Sequence, residues 1–446
     1  MARQHLGGLL VFVLLFASSS IASPPKPEEA RAIRERVESL LREELTKHWY
    51  PQSLDRERGG FHQTFGRDWS PLPDENRFIV YQSRMTWTAA AFAGFSPKDR
   101  DAFASYADYG IHYLDTAMRD KEFGGFHWVV GVKGEPEARL GDEKHVYGTA
   151  FALYAACKVD EMNHNPVARK VAKDAFDWLE KQAHDAKHGG YFEAVSRKGE
   201  PVISFDANAP VNKRTDRLGV YYGFKSMNSH IHLLEAFAEY SKIEKAPIVA
   251  QRLRETLALV RDKIAVEPGA LNLYLTRDWH AAPAHDSFGH DVETAYLLVD
   301  ASAALGEPDD TKTWRVAKNL IDHALDFGWD DEYGGFYDKG DVFAGRAYDT
   351  TKVWWTQAEG LNALLLMHTK FGATTERYWT AFLKQWSFIE KHQLDPIHGG
   401  WFGEVTREGK LAGDGRKATQ WKANYHTGRA LMNVAEMLRA VEKGSD

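Results

Sequence analysis

The sequence has almost no cysteine. Cys157 is the only one among 446 residues, so the chain can form no internal disulfide and offers no set of thiols for a structural zinc site. The His-Glu-x-x-His motif of zinc peptidases is absent as well. We therefore expect no metal and no cofactor. The net charge is −7 and no basic stripe is present, so the composition does not support a nucleic-acid partner.

The sequence also lacks a long hydrophobic run. The apolar stretch near its start, residues 6–16, follows Arg3 and is too short for a comfortable transmembrane helix. The small residues at 20–22 fit a signal-peptidase site. We predict that residues 1–22 are a secretory signal peptide and that residues 23–446 form a single catalytic domain, secreted or periplasmic. An uncleaved membrane anchor is the alternative.

One short motif, in contrast, is abundant. The pattern Asp-x-x-x-Gly-Gly-aromatic occurs five times, beginning at Asp55, Asp120, Asp185, Asp330 and Asp395. Successive copies begin 65 residues apart, except for one interval of 145. That interval predicts a sixth, degenerate copy at Gly269. A fixed period of this length indicates structural units that must pack together to complete one core.

The residues between the motif copies have a helical pattern. Each unit contains a stretch that is apolar on more than one face, which is typical of a buried helix: residues 81–92, 147–156, 231–240, 294–305, 357–368 and 427–438. A charged, amphipathic helix follows each of the first five. Its first turn is marked in four units by Pro97, Pro166, Pro247 and Pro308.

With a further helix at the N-terminus, this pattern gives twelve helices in six pairs. We predict an all-α fold, an (α/α)6 barrel of six repeated helix pairs, with short Gly-Gly β-hairpins on the active-site side. An open superhelix is the alternative, but neither end carries a distinct polar capping repeat.

The start of each inner helix is polar, whereas the remainder is apolar. In a closed barrel these six starts converge on one mouth and form the candidate site. The candidate residues there are Arg84, Tyr147, Asn228, His232, His290, Glu293, Trp354, Trp355, Trp421 and His426. Aromatic rings stack on sugar rings, Arg and Asn bond hydroxyls, and histidines transfer protons near neutral pH. These residue types favour a carbohydrate substrate.

Helix spacing predicts further details of the mouth. His290 and Glu293 are three residues apart on one face, so the carboxylate is placed to orient the imidazole. Trp354 and Trp355 are adjacent, so we expect one to face the pocket and the other to pack in the core.

Other polar residues near the mouth have less direct interpretations. Lys422 and His426 are four residues apart, as two residues on one helix face would be. Glu235 and Glu359 are interpreted as bonding neighbouring helix ends, and His230 as structural.

Five segments carry a resemblance to a known family. They are YQSRMTW at 81–87, SMNSHIHLLEAF at 226–237, GHDVE at 289–293, KVWWTQAE at 352–359 and WKANYHTGR at 421–429. In this order they resemble the N-acylglucosamine 2-epimerase superfamily, most closely its cellobiose 2-epimerase-like branch. The similarity extends from Gly59 to Arg429, nearly the whole mature chain.

The resemblance implies an (α/α)6 barrel and a reaction at C2 of a reducing sugar without a metal. The ring opens, a proton leaves C2 to give a cis-enediolate, and reprotonation on the opposite face gives the epimer. His290 and His426 match the family's acid/base pair. Arg84 and His232 match positions that contact the sugar oxygens near C1 and C2, and Glu293 matches the carboxylate beside the first base. Substrate-contacting positions are matched by Asn228, Tyr147, Trp355 and Trp421.

The implied partner is a small mono- or disaccharide, with no nucleic acid and, after signal cleavage, no membrane. The protein is expected to be a monomer or homodimer. Two departures from the family affect the expected substrate size. Residues 199–224 form an insertion that fits no family pattern and should edge the pocket, and Ala423-Asn424 stands where the family has a proline before Tyr-His.

Three alternatives to an epimerase remain open. An aldose–ketose isomerase of the mannose/fructose kind shares the enediolate and returns the proton to C1 instead of C2. A hydrolase or lyase on the same barrel requires two opposed carboxylates, which a mouth dominated by histidine disfavours. A noncatalytic sugar-binding protein is the third.

Overall fold

The computed structural model describes residues 25–74, 76–136, 143–341 and 344–443, so the predicted signal peptide at 1–22 lies outside the described residues. The described helices are α1 (Pro27–Glu43), α2 (Ile79–Phe95), α3 (Arg100–Tyr113), α4 (Val146–Asn163), α5 (Pro166–Trp178), α6 (Met227–Ile243), α7 (Pro247–Leu259), α8 (Phe288–Ala304), α9 (Thr311–Phe327), α10 (Trp354–Phe371), α11 (Arg377–Phe388) and α12 (Tyr425–Lys443). Five outer helices end in a π-helical turn: Glu44–Trp49, Leu114–Met118, Leu179–Ala183, Val260–Ile264 and Ile389–Gln393.

The strands are all short. They are β1 (Asn76–Phe78), β2 (Val129–Gly131), β3 (Glu143–His145), β4 (Ala194–Ser196), β5 (Phe224–Ser226), β6 (Ala265–Val266), β7 (Ala270–Leu271), β8 (Tyr274–Thr276), β9 (Ala281–Ala282), β10 (Asp286–Ser287), β11 (Lys339–Asp341), β12 (Arg346–Asp349), β13 (Lys352–Val353), β14 (Glu404–Val405) and β15 (Leu411–Ala412).

The even-numbered helices form a closed inner ring. Each packs against the next, from α2 through α4, α6, α8 and α10 to α12, and α12 returns to α2. The odd-numbered helices pack outside them. The predicted (α/α)6 barrel is therefore confirmed, and the open superhelix is wrong. No helix among the described residues is long and apolar enough to cross a membrane.

Each repeated motif is a tight turn at the end of an outer helix. At Asp120 the backbone N–H bonds the Gly125 carbonyl at 2.9 Å, and its carbonyl accepts from Gly124 at 2.9 Å. The Asp120 side chain accepts from the next turn residues, Glu122 and Phe123, at 3.0 and 3.2 Å. Both glycines have positive φ, +71° and +68°, which explains the pair. The same turn recurs at the other four aspartates.

Strand pairing differs from the predicted hairpins. Each Gly-Gly turn is closed by a single bridge, such as Arg119 with Phe126. The β-ladders instead join neighbouring units. The strand before one inner helix pairs with the strand that follows the next Gly-Gly turn, as β1 does with β2 and β3 with β4. Phe65 joins the first unit to the last. Its backbone N–H donates to the Ala418 carbonyl at 3.3 Å, and its carbonyl accepts from the Lys417 N–H at 3.1 Å.

The sixth copy of the motif is present. The strands β6 and β7 pair around Gly269, with Ala265 opposite Leu271. Gly269 has φ +155°, and a Cβ there would lie 2.1 Å from the carbonyl oxygen of Asn319. Glycine is therefore required at this turn although the second glycine of the motif is missing.

The proline prediction holds in two of four units. Pro166 and Pro247 occupy the first turns of α5 and α7. Pro97 and Pro308 lie three residues before α3 and α9, in turns that precede the helices, so their assignment to the first turn is wrong. At α9 the helix begins instead where Asp310 caps the free N–H groups of Lys312 and Thr313.

The glycine pair leads to a stability prediction. Gly125→Ala should destabilise the fold more than Gly219→Ala, although both positions have positive φ, +68° and +82°. The backbone cost is about 1–2 kcal/mol for each. Only at Gly125 would the new Cβ meet a ring, at 2.7 Å from Trp178, which adds about 1–3 kcal/mol of overpacking. Urea unfolding measures both, and equal losses would contradict this account.

Candidate active site

The structure brings all ten predicted residues around one cavity at the mouth of the barrel. The cavity has a volume of about 160 Å³. It is lined by Arg84, Tyr147, Asn228, His232, His290, Glu293, Trp354, Trp355, Trp421 and His426. They come from the first two turns of the inner helices and from the loop before α12, because each inner helix starts at the mouth.

A strand sets the start of each of the first five inner helices. In unit three, β5 ends at Ser226, whose hydroxyl caps α6 by accepting from Ser229 N at 3.1 Å. This cap fixes the first turn and so places Asn228 and His232 toward the cavity. In unit two, the ring of His145 caps α4 by accepting from the N–H of Tyr147 at 3.2 Å.

His232 is buried and held on one side by a carboxylate. Its Nδ1 lies 2.6 Å from Glu235 Oε1. Its ring packs edge-on against Tyr147, with centroids 5.0 Å apart. Burial lowers the pKa of His232 to about 3, because the cation would lose its hydration. The ring is therefore neutral at neutral pH.

His426 is oriented in the same way from the opposite side of the barrel. Its Nδ1 lies 2.8 Å from Glu359 Oε1 and 3.6 Å from Glu293 Oε1. Burial lowers the pKa of His426 well below its usual value, and the charge of Glu293 opposes that shift. The prediction that Glu359 bonds only helix ends is wrong, since it contacts a cavity imidazole.

His290 has a different partner from the predicted one. Its Nδ1 is hydrogen-bonded to the Ser287 hydroxyl at 2.7 Å, whereas Glu293 accepts from Arg429 Nη2 at 2.7 Å. The prediction that Glu293 orients this imidazole is therefore wrong. The cause is charge, because a buried carboxylate gains more from a guanidinium than from a neutral ring. Burial lowers the pKa of His290 to about 3.

Both tryptophans of unit five line the cavity. Trp355 packs near His290 and His426, with ring centroids 4.8 and 5.6 Å apart. Trp354 is the first residue of α10 and also borders the cavity. The expectation that one faces the pocket and the other packs in the core is confirmed in part, because Trp354 packs against the hydrophobic core while it also borders the cavity.

Arg84 joins two other cavity residues. Its Nη1 donates to the Trp421 carbonyl at 3.1 Å and its Nη2 to the Tyr147 hydroxyl at 3.2 Å. The guanidinium lies over the Phe151 ring at 4.6 Å. These contacts fix the plane of the Arg84 guanidinium, so that its remaining N–H groups are available as directed donors for sugar oxygens.

Three polar residues near the inner-helix starts do not line the cavity. His145 bonds Asp216 at 3.0 Å, which ties the 199–224 insertion to the residue before α4. His230 bonds the Ser226 carbonyl at 2.7 Å and accepts from Tyr191 N at 3.1 Å, so the structural interpretation is confirmed. Lys422 precedes α12 and donates to the Trp401 and Lys417 carbonyls, so it does not share a helix face with His426.

The sequence reasoning did not identify the roles of Arg429 and Glu235. Arg429 donates to Glu235, Glu293 and Glu359 at 2.6–2.7 Å, and Glu235 orients His232. One spacing could have shown the role of Glu235, because it lies three residues after His232 on the same helix. The carboxylates that Arg429 binds lie on three other helices, so no local spacing indicates its role.

The chain matches known sugar 2-epimerases over most of its length. Residues 59–430 match the family model of N-acylglucosamine 2-epimerase (GlcNAc 2-epimerase). Cellobiose 2-epimerase of Bacteroides fragilis is 26% identical over 404 residues, which cover 90% of this chain and 98% of the relative. N-acylglucosamine 2-epimerase of Rattus norvegicus is 28% identical over 411 residues, covering 88% of this chain and 89% of the relative.

Solved structures give the same assignment. The structure of cellobiose 2-epimerase from Spirochaeta thermophila is 28% identical and superposes with a TM-score of 0.77, over 93% of this chain and 98% of that one. The prediction of an enzyme of the isomerase class is confirmed, since the matched family and these relatives are sugar epimerases. The chain belongs to the N-acylglucosamine 2-epimerase family.

Proposed function

We propose that this enzyme is a cofactor-independent 2-epimerase that interconverts glucose- and mannose-type reducing sugars, including the reducing end of cellobiose-like disaccharides. One observation carries the proposal. Two neutral imidazoles, His290 and His426, flank Trp355 in a single cavity. Two such groups are what inversion at one carbon requires, because the proton must leave from one face and return to the other.

In the proposed reaction the open-chain sugar lies between these rings. The C2–H bond breaks, the proton passes to one imidazole, and the electron pair forms the C1–C2 double bond while O1 gains negative charge. The first imidazole releases that proton to water, the second takes one up from water and gives it to the opposite face of C2, and the C1 carbonyl re-forms as O1 loses its negative charge. Arg84 supports the step, because its fixed guanidinium offers N–H donors where the enediolate charge develops.

His232 and the aromatic residues are assigned to substrate binding. The imidazole of His232 lies beside Tyr147 and bonds sugar oxygens near C1 and C2. The rings of Trp354, Trp355 and Trp421 offer faces for the sugar. A cellobiose-type substrate is supported by the similarity to the Bacteroides fragilis enzyme, which covers nearly all of that protein.

Proton NMR in deuterated water tests the reaction on glucose, mannose and cellobiose. Epimerisation should produce the C2 epimer with deuterium at C2. A ketose with deuterium at C1 would make the enzyme an aldose–ketose isomerase, and new reducing ends from cellobiose would make it a hydrolase. If no reducing sugar is converted, the catalytic proposal fails and a sugar-binding role replaces it.

A further inference from the structure

Arg429 occupies the centre of the barrel beneath the cavity. It lies on α12 and is 1% exposed. Its Nη1 donates to Glu235 at 2.6 Å, and its Nη2 donates to both Glu293 and Glu359 at 2.7 Å. The three carboxylates belong to α6, α8 and α10, so one guanidinium joins four of the six inner helices.

Two of these carboxylates continue to cavity imidazoles. Glu235 contacts Nδ1 of His232 at 2.6 Å, and Glu359 contacts Nδ1 of His426 at 2.8 Å. The two pairs face each other across the barrel, and the guanidinium of Arg429 lies between them. Each imidazole is therefore connected to the same positive charge through a single carboxylate.

The protonation state of these glutamates controls the histidine tautomers. An ionised carboxylate can only accept a hydrogen bond, so it requires hydrogen on Nδ1 and leaves Nε2 with a lone pair. A protonated carboxyl donates instead and reverses the tautomer. Burial raises the pKa of both Glu235 and Glu359, and the charge of Arg429 is the strongest influence opposing that rise.

We propose that Arg429 is a positioning residue that sets the tautomers of His232 and His426 together, by keeping Glu235 and Glu359 ionised. Both rings then present a bare Nε2, with which His426 can take a proton from the sugar and His232 can accept a hydrogen bond from a sugar hydroxyl. The tautomers are a property of the free protein, and only their catalytic consequence rests on the proposed function.

Nitrogen-15 NMR of histidine-labelled full-length protein tests the proposal without substrate. Wild type should show both rings with hydrogen on Nδ1. Arg429→Met should move both rings toward the form with hydrogen on Nε2. The matched control is Arg439→Met on the same helix, an exposed residue paired with Glu38 at 2.6 Å, which should leave both tautomers unchanged.

Kinetics supply a second readout. In Arg429→Met, kcat should fall by about 10²-fold, with KM changed far less, and part of the loss should be recovered as pH rises and the glutamates ionise. A merely structural role would give a loss that does not depend on pH. Failure of the wild type to epimerise any sugar would overturn the proposed function and leave the tautomer result intact.

One measurement needs no variant, in case Arg429→Met does not fold. The side-chain carboxyl carbons of Glu235 and Glu359 in wild type should have the carbon-13 shifts of ionised groups at pH 7. Protonated carboxyls there, wild-type rings with hydrogen on Nε2, or unchanged tautomers in folded Arg429→Met would each overturn the proposal.

Discussion

The turnover number of His426→Ala should fall about 10²–10⁴-fold, which is the usual contribution of a positioned general acid or base. The fold should be retained, because Glu359 keeps its 2.7 Å bond from Arg429 when the imidazole is removed. No buried charge is therefore left without a partner. The control is His280→Ala, whose side chain is 78% exposed and which should turn over at the wild-type rate.

Hydrogen exchange makes this test more specific. If His290 and His426 act from opposite faces of the sugar, the variant retains one base. It should exchange the C2 hydrogen of one epimer with deuterated water while producing none of the other. Exchange from both epimers, or undiminished epimerisation, would show that His426 is not the second base. Far-ultraviolet circular dichroism and the urea midpoint confirm that the variant is folded.

Much of the architecture could be predicted by counting residues. The motif period located the six units and the degenerate copy at Gly269, since a turn that repeats every 65 residues requires a helix pair between copies. The pairing of strands could not be predicted this way. Pairing joins one unit to its neighbour, and local residue preferences do not specify which distant strand becomes the partner.

One further pattern would have predicted ring closure. Four arginines lie seven residues after the second position of the glycine pair, and each bonds the motif aspartate of the preceding unit: Arg67 with Asp395, Arg197 with Asp120, Arg277 with Asp185, and Arg407 with Asp330. The first pair joins the first unit to the last. A contact between units at opposite ends of the chain exists only in a closed ring.

In the candidate site, too, features set by nearby residues could be predicted and contacts between residues distant in sequence could not. The spacing of polar residues predicted which side chains meet at the mouth, because helix starts converge in a barrel. It did not predict their partners. Ser287 and Glu293 are both three residues from His290, and the choice of Ser287 depends on Arg429, which lies far away in sequence and attracts Glu293.

Arg77→Met should cost about 3–5 kcal/mol of unfolding free energy, the usual effect of removing one partner from a buried ion pair. Arg77 is fully buried and donates to Asp55 at 2.6 Å and Asp74 at 2.8 Å. Its loss leaves two buried carboxylates beside the first turn of the repeat. Arg42→Met is the matched control, since Arg42 is exposed and its bonds to Asp99 should contribute nothing measurable.

The loss of unfolding free energy in Arg77→Met should depend on pH. Burial would raise the pKa of Asp55, but backbone N–H groups and neighbouring cations, including Arg77, hold it below its usual value. In wild type the carboxylate therefore stabilises the fold at neutral pH, and this stabilisation is lost as pH falls through its pKa. Without Arg77 that pKa rises, so the difference from wild type should be largest near pH 7 and shrink toward pH 4.

A second substitution separates lost charge from lost packing. In Arg77→Met/Asp55→Asn the amide oxygen can still accept from Arg58 N, as the carboxylate does at 3.0 Å, while one buried negative charge is removed. The double variant should recover part of the lost stability at pH 7 and little at pH 4. Arg77 would stabilise the turn by packing alone if Arg77→Met lost the same unfolding free energy at pH 7 and pH 4 and if Asp55→Asn recovered none of it.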